Sequence, residues 1–143
     1  MTDPLVPDPA SAFGKRVRQR LRGEQVAWLT TVGVDGTPQP NPVWFVWAGT
    51  NIPVYNRPDA NRLTHIRVRP RVSLNFDGDG HGGDIVVLAG RAQILDPHPL
   101  PHGLPAYLDK YREAMIRVSG SPEAFSEAYP VPVQVEVTGV RGF

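Results

Sequence analysis

Short runs of β-forming residues, each closed by a glycine- or proline-containing turn, make up most of this 143-residue chain. The runs lie at 26–32, 38–48, 52–56, 71–76, 84–95 and 131–137. Asp35-Gly36 supplies the positive-φ positions of a tight hairpin turn between the first two runs. Because short connections join antiparallel neighbours, the pattern predicts an antiparallel sheet of about six strands. Gly90, inside the fifth run, is a candidate bulge or barrel bend.

Helical patterns interrupt the strands. One helix is predicted after Ser11, with apolar residues at intervals of four, and a short helix spans 60–68. A third helix ends near Gly120 and carries an apolar stripe made of Leu104, Leu108, Tyr111, Met115 and Val118. Peripheral helices around short antiparallel strands predict a mainly β (α+β) fold, a small β-barrel rather than a sandwich.

The length and the N-terminal composition predict the domain organisation. A chain of 143 residues is typical of one domain. Residues 1–10 hold three prolines and little apolar surface, so they predict a mobile tail before a single domain at 11–143. The tail lacks the basic-then-apolar order of a signal peptide, and the longest uncharged apolar run, 43–48, is too short for a membrane span. We therefore expect a cytoplasmic protein without a membrane partner.

The composition also argues against several kinds of chemistry. The absence of cysteine excludes disulfides, thiolate zinc sites and a cysteine nucleophile, and the net charge of +1 gives no bulk field for nucleic acid. The four histidines share no metal-ligand spacing, and no Ser-His-Asp, nucleophile-elbow or P-loop pattern is present. No metal site is predicted, and no catalytic residue can be named. An enzyme with so few reactive groups relies on a bound cofactor.

The first candidate cofactor site is the proline-rich segment 38–47. Residues two apart in a strand point their backbone groups to the same side, so Pro38, Pro40 and Pro42 remove the N–H donors from one edge and leave its carbonyl acceptors. The donors of Asn41 and Val43 stay on the other side. With Trp44, Phe45 and Trp47 beside it, this edge suits a flat heteroaromatic ring that carries donors and acceptors. An ordinary edge strand with core aromatics is the alternative.

The second candidate site is the segment 55–65, in which a strand ends and a short helix begins near Ala60. Helix N-termini attract anions, and Arg57 and Arg62 would add forked donors that match phosphate oxygens. Asp59 is the only acid between Arg57 and Arg71, a stretch with five arginines. The alternative is that these arginines lie on the surface and pair with carboxylates.

Together these stretches resemble the pyridoxamine-phosphate-oxidase-like split β-barrel superfamily of flavin-binding proteins. More narrowly, they are similar to its small deazaflavin (coenzyme F420)-dependent oxidoreductases from actinobacteria. The resemblance covers residues 13–143 and rests on VAWLTTVGVDGTPQPNPVWFVW, YNRPDANRLTHIRVRPRVSLNF, GGDIVVLAGRAQIL and the terminal VRGF, in this order.

The resemblance implies an antiparallel split β-barrel of the FMN-binding type that forms a homodimer, with the cofactor in the groove between the subunits. It implies that Pro42, Val43 and Trp44 line the ring, mostly through backbone, and that Asn56, Arg57 and Arg62 hold the phosphate. Asn41 and His65 complete the set of eight candidate cofactor-binding residues. The family often has lysine at the position of Arg62 and asparagine at that of His65, so the role of His65 stays open.

The function that the resemblance implies is hydride transfer from reduced coenzyme F420 to an electron-poor small molecule such as a quinone, an enone or a bilin. Tyr55 and His65 are the candidate proton donors. The alternatives are an FMN-binding oxidoreductase of the same fold and a non-catalytic flavin or deazaflavin carrier. An OB-like barrel that binds single-stranded nucleic acid through tryptophans and arginines is disfavoured by the small net charge.

Overall fold

Six antiparallel strands form one curled sheet in the computed structural model, which describes residues 7–143. The strands are β1 (Ala27–Val32), β2 (Pro38–Val43), β3 (Asn51–Asn56), β4 (Arg71–Asn75), β5 (Val86–Ile94) and β6 (Val131–Gly142). The helices are α1 (Ala12–Gly23), α2 (Asn61–Val68), α3 (Pro105–Ser119) and α4 (Pro122–Ala128). The strand order in the sheet is β2-β1-β4-β5-β6-β3. The predicted split-barrel architecture of about six strands is confirmed.

The sheet curls into a half-barrel because its two edge strands are consecutive in the chain. β2 and β3 lie at opposite ends of the strand order, and the segment 44–50 crosses the gap between them. The Val46 N–H donates to the Pro53 carbonyl at 3.4 Å, and Ala48 and Asn51 form an antiparallel bridge. The predicted strand over 38–48 therefore ends at Val43, and the rest of that run is the connection that joins the two edges.

The predicted irregularity at Gly90 is a β-bulge. The register between β5 and β6 shifts between Ala89 and Gly90. A Cβ atom at Gly90 would lie 2.6 Å from Cγ1 of Val135 and 2.7 Å from the carbonyl oxygen of Glu136. Only glycine therefore fits where the two strands approach each other and the sheet bends.

The apolar interior has two parts. The larger cluster fills the curl of the sheet, where α1 and α2 contribute Val17, Leu21, Leu63 and Ile66. The smaller cluster is aromatic and packs α3 and α4 against the connection at 44–46.

The predicted apolar stripe of α3 is partly wrong. Tyr111 and Met115 are buried as expected, but Val118 is 54% exposed, and the helix buries Tyr107 instead. The rings of Tyr107 and Tyr111 pack into the aromatic cluster, so the buried face of α3 is set by its tyrosines and differs from the predicted apolar stripe.

Residues 7–10 lie against α1. Nη1 of Arg18 donates to the Pro7 carbonyl at 2.6 Å, and a Cβ atom at Gly14 would lie 2.0 Å from the Asp8 carbonyl oxygen. Residues 1–6 of the predicted tail lie outside the described residues. No helix within residues 7–143 has the length and apolar character needed to cross a bilayer.

Candidate functional site

A pocket of about 300 Å³ opens where the end of β2, the start of α2 and the helices α3 and α4 meet. Its walls are formed by Pro42, Val43, Trp44, Tyr55, Arg62, Tyr107, Val118, Phe125 and Tyr129. The structure therefore brings together four of the eight predicted cofactor-binding residues: Pro42, Val43, Trp44 and Arg62.

The edge of β2 has the donor-poor character that the sequence predicted. The β1–β2 register pairs Asn41 with Leu29 and Val43 with Ala27, and the three prolines alternate with these positions. Proline has no N–H, so the hydrogen-bonded positions are the non-proline ones, and the proline carbonyls point away from β1. The main-chain donors of Asn41 and Val43 consequently face β1, and the outer edge presents acceptors only.

Stacked aromatic rings form one wall of the pocket. The indole of Trp44 lies parallel to Tyr111 at a centroid distance of 4.8 Å and to Phe125 at 5.2 Å, and Phe125 stacks on Tyr129 at 4.5 Å. The Tyr111 hydroxyl accepts a hydrogen bond from the Phe45 N–H at 2.9 Å and lies 2.7 Å from the carbonyl oxygen of Gln25. Helix α3 therefore fixes the position of Trp44.

The opposite wall holds a positioned arginine. Asn56 is fully buried, and its amide nitrogen donates to the carbonyls of Val54 at 3.2 Å and Val131 at 3.1 Å. Its side-chain oxygen accepts a hydrogen bond from Nε of Arg62. Both polar atoms of Asn56 are thus used within the protein, and the two Nη groups of Arg62 are left for the pocket. Asn56, predicted beside a phosphate, would act through Arg62.

The charge of Arg62 has no carboxylate partner among residues 7–143, where the ion pairs involve Arg16 and Arg20 of α1. Burial lowers the pKa of Arg62, and nearby Tyr129 acts in the opposite direction; an arginine stays protonated under these conditions. A half-buried cation without a protein anion beside it is a candidate position for an anionic ligand.

Arg57 lies at the rim of the same corner. Its guanidinium stacks on the Tyr129 ring at 4.8 Å, and no carboxylate in the described part of the chain pairs with it. Helix α2 begins beside it with Ala60 as N-cap, so no side chain caps the first N–H groups of this helix. Arg57 is exposed, as the surface interpretation held, and Arg62 is half-buried, but neither arginine pairs with a carboxylate among residues 7–143.

His65 lies apart from the pocket. Its Nδ1 is 2.9 Å from the hydroxyl of buried Thr31, on the side of α2 that packs against β1. The other candidate proton donor, Tyr55, lines the pocket, but its hydroxyl donates to the Pro99 carbonyl at 2.6 Å. Burial raises the pKa of Tyr55 to about 12, so it remains protonated at neutral pH.

Asp79 organises the backbone of the loop at 77–84. The Asp79 carboxylate accepts hydrogen bonds from the N–H groups of His81 at 2.7 Å and Gly83 at 3.0 Å, and these bonds lower its pKa. Within the described residues, no group of three or more histidine, aspartate or glutamate side chains is arranged to hold a metal ion.

Sequence reasoning missed three aromatic residues of the pocket, Tyr107, Phe125 and Tyr129. The signal that could have found them is aromatic spacing of four in two consecutive helical segments, at 107 and 111 and again at 125 and 129. The pocket as a whole offers a flat aromatic wall, an acceptor edge and a cationic corner, and none of its lining residues is an aspartate, glutamate, histidine or cysteine. The chemistry of these walls suits a planar anionic molecule.

A family model described as pyridoxamine 5'-phosphate oxidase matches residues 13–137. No curated protein matches the chain. An F420 reductase of known structure is 22% identical over 86% of this chain and 94% of that chain, with a TM-score of 0.65. The conserved hypothetical protein Rv2991 from Mycobacterium tuberculosis is 19% identical over 99% of this chain and 88% of that chain, with a TM-score of 0.70.

Two further structures widen the range of ligands found on this fold. A FAD-binding protein from Mesorhizobium loti is 20% identical over 88% of each chain, with a TM-score of 0.63. HutZ, a heme storage protein from Vibrio cholerae, is 12% identical over 90% of this chain and 92% of that chain, with a TM-score of 0.62. At these identities the similarities establish the fold alone.

Proposed function

The chain belongs to the pyridoxamine 5'-phosphate oxidase family, as its sequence predicted, and from this membership we propose that it is an oxidoreductase with a flavin-type cofactor. The cofactor that we propose is the deazaflavin coenzyme F420, bound in the pocket between Trp44 and Arg62. The substrate would be an electron-poor small molecule such as a quinone, an enone or a bilin. The similarity to an F420 reductase supports the choice of deazaflavin.

The observation that carries this proposal is the arrangement of Arg62 and Asn56. A half-buried guanidinium without a carboxylate partner in the described part of the chain is costly unless an anion completes it. Its two Nη groups form a fork that matches phosphate oxygens, and the buried amide of Asn56 holds that fork in place. The residues present therefore fit a cofactor phosphate.

The remaining walls fit the ring of the same molecule. Trp44 and Phe125 line the pocket with apolar surface, and the carbonyls of the β2 prolines would accept hydrogen bonds from ring N–H groups. When bound, a reduced deazaflavin supplies a hydride for an electron-poor double bond. The contribution of this chain is to orient the ring, to neutralise the phosphate and to keep water away from one side of the ring.

We propose a second copy of the chain as the other wall. A pocket of about 300 Å³ encloses a tricyclic ring but not a whole F420 molecule. The outward-facing side chains of β1, Trp28, Thr30 and Val32, are exposed or half-exposed, next to the exposed edge of β2. A homodimer through this face would cover the open side of the ring. Light scattering should give twice the mass of 15.7 kDa, and a monomer at micromolar concentration would contradict the dimer.

Two alternatives have their own support. Flavin-type binding with FMN instead of F420 is supported by the similarity to a FAD-binding protein. A non-catalytic carrier is supported by the similarity to a heme storage protein and by the absence of an acid or base among the lining residues.

A comparison of cofactor affinities distinguishes the proposed function from the two alternatives. Purified protein is titrated with coenzyme F420, FMN and haem, and binding is followed by quenching of cofactor fluorescence or by absorbance. We expect F420 to bind most tightly and reduced F420 to be oxidised by at least one member of a panel of quinones, enones and bilins. Protein that binds FMN but not F420 supports the FMN alternative. Tight F420 binding without turnover supports the carrier, and exclusive haem binding contradicts the proposal.

A further inference from the structure

Four tyrosines lie around the aromatic end of the pocket, and they use their hydroxyl groups differently. Tyr55 donates to the Pro99 carbonyl, and Tyr111 is hydrogen-bonded to the backbone of Gln25 and Phe45. Tyr129 is half-exposed beneath Arg57. Tyr107 is 1% exposed and lines the pocket, yet its hydroxyl makes no hydrogen bond to any of residues 7–143.

The Tyr107 hydroxyl has access to the pocket. Among residues 7–143, Nε2 of His98 is the one fully enclosed polar atom outside an ion pair that lacks a hydrogen-bond partner, and the Tyr107 hydroxyl is not in this class. Tyr107 is almost completely buried, and the small part of this residue that stays accessible includes the unpaired hydroxyl. The cavity that Tyr107 lines is the pocket. A buried phenol hydroxyl without a protein partner is rare, because such groups normally find one.

The surroundings of Tyr107 make this hydroxyl a hydrogen-bond donor. Its ring packs edge-on against Tyr55 at 4.8 Å and lies 4.9 Å from Tyr111. Burial raises the pKa of Tyr107 above its usual value, and Tyr111 and Tyr55 add to the effect, so the phenol stays neutral. An acceptor oxygen in the pocket that Tyr107 lines would satisfy this donor.

We propose that the Tyr107 end of the pocket is a subsite for a planar conjugated molecule with a carbonyl oxygen, which accepts a hydrogen bond from the Tyr107 hydroxyl. The aromatic lining, which includes Trp44 and Phe125, favours a conjugated ring system, and the single hydroxyl selects the oxygen. This inference rests on the proposed function for the origin of the oxygen, which belongs either to the cofactor ring or to the quinone or enone that accepts the hydride.

The test compares menadione, a naphthoquinone, with 2-methylnaphthalene, which has the same ring system without oxygen. Tyr107→Phe removes only the hydroxyl, so on the unloaded protein it is expected to weaken menadione about 3- to 10-fold, the effect of one hydrogen bond, and to leave 2-methylnaphthalene unchanged. Tyr111→Phe is the matched control, because its hydroxyl is already engaged with the backbone. It is expected to lower the melting temperature without changing the ratio of the two affinities.

Two further arms identify the source of the oxygen. If the oxygen belongs to the cofactor, Tyr107→Phe lowers the affinity for F420 and leaves menadione binding to the loaded protein unchanged. If the oxygen belongs to the substrate, Tyr107→Phe leaves the affinity for F420 unchanged and lowers menadione binding to the loaded protein. Three results would contradict the subsite. The first is a folded Tyr107→Phe variant whose menadione affinity differs from that of the wild type by less than about twofold. The others are an equal loss of affinity for menadione and 2-methylnaphthalene, and a wild type that does not bind menadione. Failure of F420 and FMN to bind contradicts the proposed function alone, because the comparison on unloaded protein still decides the subsite.

Discussion

Nε of Arg62 donates a hydrogen bond to the side-chain oxygen of Asn56, an amide that is completely buried and tied to two strands. A cation on the first turn of α2 is therefore positioned by an amide at the end of β3. The two Nη groups of Arg62 are thereby held beside the pocket before any ligand binds, and such preorganisation would lower the cost of binding the proposed phosphate.

Asn56→Ala should weaken both the fold and the anion site. The change leaves the carbonyls of Val54 and Val131 without their donor, so we expect the free energy of unfolding to fall by about 1–3 kcal/mol. It also frees Arg62 to adopt other rotamers. Chemical denaturation measures the first effect, and the affinity for coenzyme F420 measures the second. Asn75→Ala is the control, since the Asn75 amide is half-exposed and makes one 3.4 Å hydrogen bond; equal losses in the two variants would contradict the role of Asn56.

Gly90→Ala should destabilise the sheet at its bulge. The new methyl group would meet Val135 and the Glu136 carbonyl at distances that no relaxed Cβ contact shows, and overpacking of this kind costs about 1–3 kcal/mol. Gly139→Ala, on the paired strand, is the matched control because nothing lies within 4 Å of the position that its methyl group would take. Thermal denaturation of the two variants compares them, and the argument fails if Gly139→Ala is the more damaging change.

Lys110 should react as an amine at lower pH than an ordinary lysine. Its Nζ donates to the Phe45 carbonyl at 2.9 Å and lies 3.9 Å from the centre of the Phe45 ring. Burial lowers the pKa of Lys110 to about 8, with Glu24 acting in the opposite direction. Acetylation of the folded protein, followed by mass spectrometry, should therefore show a labelling rate that rises with a midpoint near pH 8. Lys15, exposed on α1, gives an internal reference in the same spectra.

The lowered pKa of Lys110 also predicts how the free energy of unfolding changes with pH. The folded-state pKa lies below the unfolded value of about 10.4, so between pH 8 and 10 the unfolded chain binds more protons and the contribution of Lys110 to stability rises with pH. Lys110→Met should lack this rise. Identical pH profiles for the wild type and Lys110→Met would show that the lysine is not desolvated.

Local patterns predicted a large part of this architecture. The alternating prolines of β2, the bulge at Gly90 and the apolar pair Leu63 and Ile66 of α2 each follow from spacing within a few residues. What escaped prediction depends on contacts between distant segments. Arg20 on α1, for example, pairs with Asp84 at 2.6 Å, although the two residues are 64 positions apart in the sequence.

In the candidate site, too, local patterns were predictable and contacts between distant segments were not. Arg57 and Arg62 were predicted from their positions around a helix start, and the structure places both at one corner of the pocket region. The way Asn56 is held depends on the Val131 carbonyl, 75 residues away, and the unpaired hydroxyl of Tyr107 depends on the packing of two helices against β3 and its neighbours. No local period encodes either relationship.

The most direct test of the central claim is the phosphate preference of Arg62. The affinities of coenzyme F420 and of its phosphate-free core, 8-hydroxy-5-deazariboflavin, are measured for the wild type, Arg62→Met and Arg62→Lys. A charge-assisted phosphate contact predicts that the wild type favours F420 by about 10- to 100-fold and that Arg62→Met loses this preference while keeping its affinity for the core. Arg62→Lys should retain part of the preference through its charge. An undiminished preference for F420 in Arg62→Met would contradict the assignment of this corner to the cofactor phosphate.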